Sequence, residues 1–450
     1  MPSAHSRERR VNPLLRLAYG AAGEVARALA AIGPGGESKL ARTLRARRGI
    51  RERYARWGAS GREPARPLLW VHAPSVGEGL QARPVLQLLR AERPDLQLAY
   101  THFSPSAETF ARGLDVDFAD YLPFDTASDA RAALDALRPN ALVFSKLDVW
   151  PTLARLADER GVPLGLVSAT LSAGSSRRSA PAATLLRDAY ARLDAVGAID
   201  AADAERIVAL GARPDVVTVT GDTRYDQVWA RALAADRQGP LLAPLASDRP
   251  TLVAGSTWPA DEHVLLPAWA TLRRAHAELR LVIAPHEPTP AHLAPIERWA
   301  AGAGLVVRRL SSVAEHAVEV QDVDVILVDR VGVLGDLYVL ADAAFVGGGF
   351  HAAGLHSVLE PAAFGTPVLF GPRHASSRDA GLLLHAGGAK SVRSADDLAG
   401  TLRAWLAEDP DAGRSAGERA RTVVAQGLGA ARRSADLVKR LLRGPDSAEC

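Results

Sequence analysis

Residues 70–79 read WVHAPSVGEG. An apolar run stops at Pro74, and a single carboxylate, Glu78, then stands between two glycines. Ser75, Gly77 and Gly79 permit a tight turn, and the spacing predicts a helix from about Leu80, whose first backbone N–H groups lack partners within the helix. A carboxylate placed there, just past a strand, can face a cleft and act as a general base. It can equally cap the helix, where negative charge is favoured. From position alone the capping role is the stronger reading.

A second group of candidates lies in AAFVGGGFHAAGLHSVLEPAAFGTPVLFGP, residues 343–372. An apolar strand runs into Gly347, Gly348 and Gly349, and Gly354 and His356 lead into a helix with Glu360 in its first turn. Glycines before a helix allow backbone amides to approach a phosphate, and a carboxylate in Glu360's position can accept two ribose hydroxyls. The pattern is neither G-x-G-x-x-G nor a P-loop, which disfavours hydride and ATP chemistry. A Gly-rich turn with a first-turn acid is the plainer alternative. The clustering of His356, Glu360 and three glycines favours a nucleotide site. AGSTWP (254–259) and APHEP (284–288) end two further strands and bring Ser256, Thr257 and His286 towards the same mouth, with Thr257 read as loop polarity. DVD occurs at 115–117 and at 322–324; such a pair can bind a metal held by a sugar-nucleotide diphosphate, but solvated turn acids are favoured for both. No zinc spacing, H-E-x-x-H or G-x-S-x-G elbow is present.

These residues must be positioned by strands and helices in alternation. Strand candidates in the first half are PLLWVHA, LQLAYTH, ALVFSK, PLGLVSA, AVGAID and VVTVTG. Those in the second are TLVAGST, LRLVIAP, VILVD, AAFVGGG and PVLFGP. Most are continuously apolar, as parallel strands covered on both faces are. Ala/Leu/Arg-rich helix formers lie between them. The fold class expected is α/β, with two doubly wound domains facing one cleft, ligands sitting beyond the carboxyl ends of the strands. The boundaries expected are a basic amphipathic arm at 1–40, a first domain at 41–230, a linker at 231–250 rich in Pro, Ala and Asp, a second domain at 251–430, and a C-terminal helix and tail at 431–450.

The length of 450 residues fits two domains. With 48% hydrophobic and 23% charged residues the composition is globular. Cys450 is the only cysteine, so the chain holds no disulfide framework, which suits a reducing, cytoplasmic setting. No apolar run long enough to cross a bilayer and no signal-peptide pattern is evident. The net charge of +3 is uneven: residues 1–66 hold 14 arginines and Lys39 against five glutamates, an excess of ten positive charges on a body of −7. Such an arm suggests an anionic partner. Its segment NPLLRLAYGAAGEVARALAAIG has apolar residues at helical spacing, interrupted by charges. It reads as an amphipathic helix, either on an anionic membrane surface or docked on its own domain. No RNA-binding signature supports nucleic acid as a partner.

Taken together the segments resemble the 3-deoxy-D-manno-octulosonic acid (Kdo) transferases of lipopolysaccharide assembly, glycosyltransferases of the GT-B architecture with two facing Rossmann-like domains. WVHAPSVGEG resembles their W-x-H-A-x-S-x-G-E, and YLPFD with LRPNALVFSKLDVWP resembles YLPYD with RP…ETELWP. VSATLS resembles NARLS, and AGSTWPADE resembles GSTHPGEE. VGVLGDLYVLADAAFVGGGF and GLHSVLEPAAFGTPVLFGP resemble MGELxxLYxxADVAFVGGS and GGHNPLEPAALGxPVLxGP. The match runs from about residue 40 to 430 in consistent order.

The resemblance implies that Glu78 is the catalytic base. It would deprotonate a hydroxyl of a lipid A precursor, which attacks CMP-Kdo with inversion, at the cytoplasmic face of the inner membrane. Donor-nucleotide contacts would come from Ser256, Pro285, His286, Gly332, Val333, Leu334, Gly348, Gly349, His356, Ser357 and Glu360. Ser75, Gly77, Lys146, Asp148 and Ser172 would touch acceptor or donor. No metal or other cofactor is expected, since the leaving group carries one phosphate. This chain departs from the family pattern at His286 (arginine), Val333 (glutamate), Ser357 (asparagine), Lys146 (glutamate) and Thr170 (arginine). Lys146 is one of only four lysines against 50 arginines; its amine can bind an acceptor phosphate or the donor carboxylate. A related transferase or sugar-nucleotide epimerase with another donor, and a non-catalytic glycolipid-binding homologue, are the competing readings.

Overall fold

The computed structural model describes residues 13–32, 35–36, 38–172, 174–316 and 320–443. The expected segment 1–12 of the arm and the tail 444–450 lie outside the described residues. The first sheet contains β1 (Leu68–His72), β2 (Gln97–His102), β3 (Phe118–Tyr121), β4 (Ala141–Ser145), β5 (Leu164–Ala169), β6 (Ala195–Ala198) and β7 (Val217–Val219). Its spatial order is β3-β2-β1-β4-β5-β6-β7, and every pairing is parallel. The second contains β8 (Thr251–Thr257), β9 (Arg280–Pro285), β10 (Val307–Arg309), β11 (Val325–Leu327), β12 (Ala343–Val346), β13 (Val368–Phe370) and β14 (Ala389–Ser391), ordered β10-β11-β9-β8-β12-β13-β14 and again wholly parallel. Strand order reverses between β1 and β4 in one sheet and between β8 and β12 in the other. In open parallel sheets ligands collect at the carboxyl ends of the strands where the order reverses.

The apolar runs explain the layers. Alternate residues of a strand point to opposite faces. Leu68, Trp70, Leu142 and Phe144 therefore pack one way, against the helices Ile50–Ser60, Ala127–Leu137 and Pro151–Asp158. Leu69, Val71 and Val143 pack the other way, against Val76–Glu92 and Ala430–Arg443. In the second sheet Leu252, Leu281, Leu327 and Phe345 join one core around Trp269, while Val253, Val282, Ile326 and Ala344 join another around Tyr338. Three strands that the apolar pattern does not announce, β3, β10 and β14, are short; all three form sheet edges and carry polar or charged residues.

The chain divides at other places than the sequence suggests. The described residues up to Gln227, with those from Leu428 onward, form one compact unit, and Val228–Gly427 form the second. The stretch 231–250 is not a free linker. It completes the helix Thr223–Ala234, and Leu242 and Leu245 are buried in the core around Tyr338. The helix Ala430–Arg443 likewise does not follow the second unit. Ala431, Ala435, Leu437, Val438 and Leu441 seal a face of the first sheet.

The arm folds onto the first unit. Within the helix Pro13–Ile32, the Tyr19 hydroxyl donates to Asp125 Oδ2 at 2.8 Å, and Gly23 lies where any Cβ would stand 3.1 Å from the Thr126 methyl. The opposite stripe, Leu17, Val25, Leu29 and Ile32, is exposed. Part of the positive charge of residues 1–66 is internal. Arg47 is buried, donating to the carbonyls of Thr43 and Leu122, each at 2.9 Å, with its guanidinium 4.1 Å from the Phe103 ring centre. Arg53 binds both oxygens of Asp120.

Candidate active site

In the first unit the loops after β1 and β4 meet where the strand order reverses. Ser75 is the N-cap of the helix Val76–Glu92, with φ −134° and ψ 176°. Gly77, Glu78 and Gly79 are therefore its first turn, not a flexible hinge before a helix starting near Leu80. The amide of Gly79 already bonds to the Ser75 carbonyl at 2.9 Å. Gly79 is needed for close packing, since a Cβ there would come within 2.7 Å of the Tyr100 hydroxyl oxygen. At Gly77 a Cβ would meet nothing nearer than the Ser75 hydroxyl at 3.8 Å, so the space beside the acid is open.

Glu78 is only 15% exposed and both of its oxygens are held. The Ser75 hydroxyl donates to Oε2, and the Lys146 ammonium lies 3.0 Å from Oε1. Ser145 at the end of β4 donates to the Glu78 carbonyl at 3.2 Å. Lys146 follows in the left-handed region, at φ 69°. Beyond it Asp148 is ion-paired with Arg177, from the loop after β5. Burial pushes the Asp148 carboxyl upward, with the charges of Arg177 and Lys146 opposing and that of Glu78 adding. Lys146 thus meets Glu78, the residue expected as base. Ser172 is exposed; its carbonyl accepts the Ser175 amide at 3.1 Å, and the contacts described around Glu78 do not include it. Thr170 donates to Asp203 at 3.2 Å, a contact that anchors its own loop. Arg177 has no motif around it that would have singled it out.

In the second unit the residues gathered at the corresponding reversal come from the loops after β8, β9 and β12. Trp258 forms a slab. His351 stacks on it at 4.2 Å and 6°, His286 at 4.6 Å and 25°, and His286 and His356 lie 4.5 Å apart. The Trp258 indole N–H donates to His356 Nε2 at 3.0 Å, and the Ala353 amide donates to His351 Nδ1 at 3.1 Å. Each of these two rings therefore accepts on one nitrogen and has its proton on the other. Burial lowers the His356 pKa, His286 and His351 lower it further, and Asp261 opposes them.

The glycine run has a different role from the one expected. The amides of Gly348 and Phe350 donate to the buried Asp261 carboxylate, at 2.7 and 3.0 Å, so they are already engaged. Gly347 and Gly349 bring β12's loop against the backbones of Ser256–Thr257 and Gly371, and Gly348 has φ 90°. Thr257 is no loop polarity either. It is buried and donates to Glu262 Oε1 at 2.8 Å.

Pro285 is buried at the end of β9, Ser256 has φ 54°, and Ser357 is exposed. The segment Gly332, Val333 and Leu334 is braced by Arg231, which donates to the Gly332 carbonyl at 3.2 Å and to both oxygens of Asp336. Burial raises the Glu360 carboxyl; Arg231 opposes the shift and Asp336 adds to it. Arg231 and Asp336 were not singled out in the sequence, because Arg231 lies 101 residues from Gly332 and carries no pattern. Among the described residues no three His, Cys, Asp or Glu side chains group as a metal site. Both DVD segments are anchored internally: Asp117 by Arg90 and Asp324 by Arg249.

Two parallel, doubly wound units with polar clusters at their reversal points define a GT-B-like class of two-domain α/β enzyme. Solved structures agree on the fold: a putative UDP-N-acetylglucosamine 2-epimerase from Listeria monocytogenes superposes with a TM-score of 0.59 at 15% identity, covering 83% of this chain and 96% of its own. A UDP-GlcNAc 2-epimerase from Neisseria meningitidis gives 0.57 at 15% identity, covering 80% and 99%. The sequence is more specific. Residues 48–227 match the family model for 3-deoxy-D-manno-octulosonic-acid transferase (kdotransferase). The 3-deoxy-D-manno-octulosonic acid transferase of Bordetella pertussis is 32% identical over 398 residues, 86% of this chain and 90% of its own length. That of Haemophilus influenzae is 26% identical over 408 residues, 88% and 92%. The chain belongs to the 3-deoxy-D-manno-octulosonic acid transferase family and is a glycosyltransferase of lipopolysaccharide biosynthesis.

Proposed function

We propose that the protein transfers Kdo from CMP-Kdo to a lipid A precursor with inversion, and that Glu78 is the general base. The observation that carries this reading is the Glu78 carboxylate at the β1–β4 reversal, held on two sides and open beside Gly77. The acceptor hydroxyl gives its proton to Glu78, its oxygen forms a bond to the anomeric carbon, and the bond from that carbon to the phosphate oxygen breaks. CMP leaves with the electron pair. The nucleotide is assigned to the second unit, with Glu360 on the ribose and the Trp258–histidine slab, Gly332–Leu334 and Ser256 around the rest. This reaction asks for no metal, because a single phosphate departs. The exposed stripe Leu17, Val25, Leu29 and Ile32, on a basic arm, supports a peripheral position at an anionic membrane face. No helix among the described residues is long and apolar enough to cross a membrane.

Incubation of the full-length protein with CMP-Kdo and a lipid A precursor, read by mass spectrometry, tests the assignment. Kdo-bearing product together with free CMP is the expected result. Conversion of UDP-N-acetylglucosamine to its 2-epimer, without any Kdo product, would replace it with an epimerase.

A further inference from the structure

We propose that Lys146 is a positioning residue for the base: with the Ser75 hydroxyl it holds the Glu78 carboxylate in one orientation. The inference rests on the reading of Glu78 as base. Four observations carry it. The Lys146 ammonium is 3.0 Å from Glu78 Oε1 while the Ser75 hydroxyl occupies Oε2, so each oxygen has a donor of its own. Lys146 has φ 69°, a backbone conformation that costs a non-glycine residue on the order of 1 kcal/mol or more and persists only where the surroundings impose it. Here the Lys146 amide donates to the Val167 carbonyl at 2.9 Å, and the preceding Ser145 hydroxyl is tied to the Glu78 backbone. Finally, the other nearby acid, Asp148, is taken by Arg177. Two cations and two carboxylates pair one to one, and the lysine's charge is directed to Glu78.

The groups that bear on Glu78 are Lys146 and Asp148 from the loop after β4, Arg177 through Asp148, and the Tyr100 hydroxyl of β2. Of these only Lys146 both carries a positive charge and touches the carboxylate. The pair fixes the carboxylate's approach. Each held oxygen keeps a second lone pair, and the acceptor hydroxyl must reach one of those.

The test is kcat and KM for CMP-Kdo transfer by full-length wild type, Lys146→Met, Lys146→Gln and Lys146→Arg, each checked for its folded circular dichroism spectrum. The expected result is a kcat lowered about tenfold or more in the Met and Gln variants with KM unchanged, and a rate restored by Arg. An unchanged kcat in a folded Met or Gln variant overturns the proposal. So does a raised KM with kcat unchanged, which would make Lys146 a substrate ligand. Glu78→Gln run alongside separates the two claims: if it turns over normally, the base assignment fails whatever Lys146 does.

Discussion

Glu360 and His356 show how a single side chain's role depends on neighbours the sequence does not reveal. Glu360 was legible from its place in a helix's first turn, yet Arg231 and Asp336, which share its surroundings, come from 129 and 24 positions away in the chain. Glu360→Ala is expected to weaken CMP binding, measured by calorimetry, by about tenfold or more, because a charge-assisted pair of hydrogen bonds to ribose is worth on the order of 1.5–3 kcal/mol. Unchanged affinity in a folded variant would reject the ribose assignment. His356 was legible as a candidate, but its tautomer is set by the Trp258 indole, a contact between residues 98 positions apart. The glycines at 347–349 were legible as a tight turn. Their partner Asp261 was not, so the Gly348 amide, read as free for phosphate, is occupied, as is that of Phe350. Glu78 itself was correctly placed past β1, although the helix it belongs to begins earlier. Gly79 signals a close approach to Tyr100, which a sequence cannot distinguish from flexibility.

At the scale of elements, all eleven apolar runs became strands; ten are largely buried, as their composition implies, while β7 at the sheet edge leaves Thr218 and Val219 exposed. The three unannounced strands depend on neighbours for their pairing and carry little apolar signal. The loop after β1 is supported by a buried network. His72 accepts from the Trp150 indole at Nε2, 3.0 Å away, and its Nδ1 faces the Thr101 hydroxyl at 3.1 Å. Burial pulls this imidazole down to about 3. Its folded value lies below its unfolded one, so the stability it contributes is intact above about pH 6.5 and is lost as pH falls towards 3. Each pH unit in that window costs roughly 1.4 kcal/mol. Urea unfolding at pH 7 and pH 5 should therefore show a smaller loss in His72→Gln than in wild type; equal losses would remove His72 from the account. The helix Pro13–Ile32 resolves a choice the sequence left open by docking on its own domain through Tyr19, while still exposing an apolar stripe. Replacing Leu17, Val25, Leu29 and Ile32 together by serine is expected to leave the fold intact and to abolish co-sedimentation with anionic vesicles at low salt. Full co-sedimentation of that variant would remove the stripe as the membrane contact.

For the whole molecule, the return of Ala430–Arg443 to the first unit was hidden from the sequence, because an amphipathic helix does not say which core it seals. Leu437 is 3% exposed within that core, so Leu437→Ala is expected to destabilise the first unit by about 2–4 kcal/mol, seen as a lowered urea midpoint. A midpoint unchanged from wild type would contradict the packing described. The larger claim is a division of chemistry, with the base on one unit and the nucleotide on the other. Glu78→Gln tests it most directly when turnover, CMP affinity and melting temperature are measured on the same preparation. The expected result is a rate reduced by about 10²–10⁴, with CMP affinity retained and melting nearly unchanged. A normal rate with a lowered melting temperature would contradict it and reduce Glu78 to the cap of its helix.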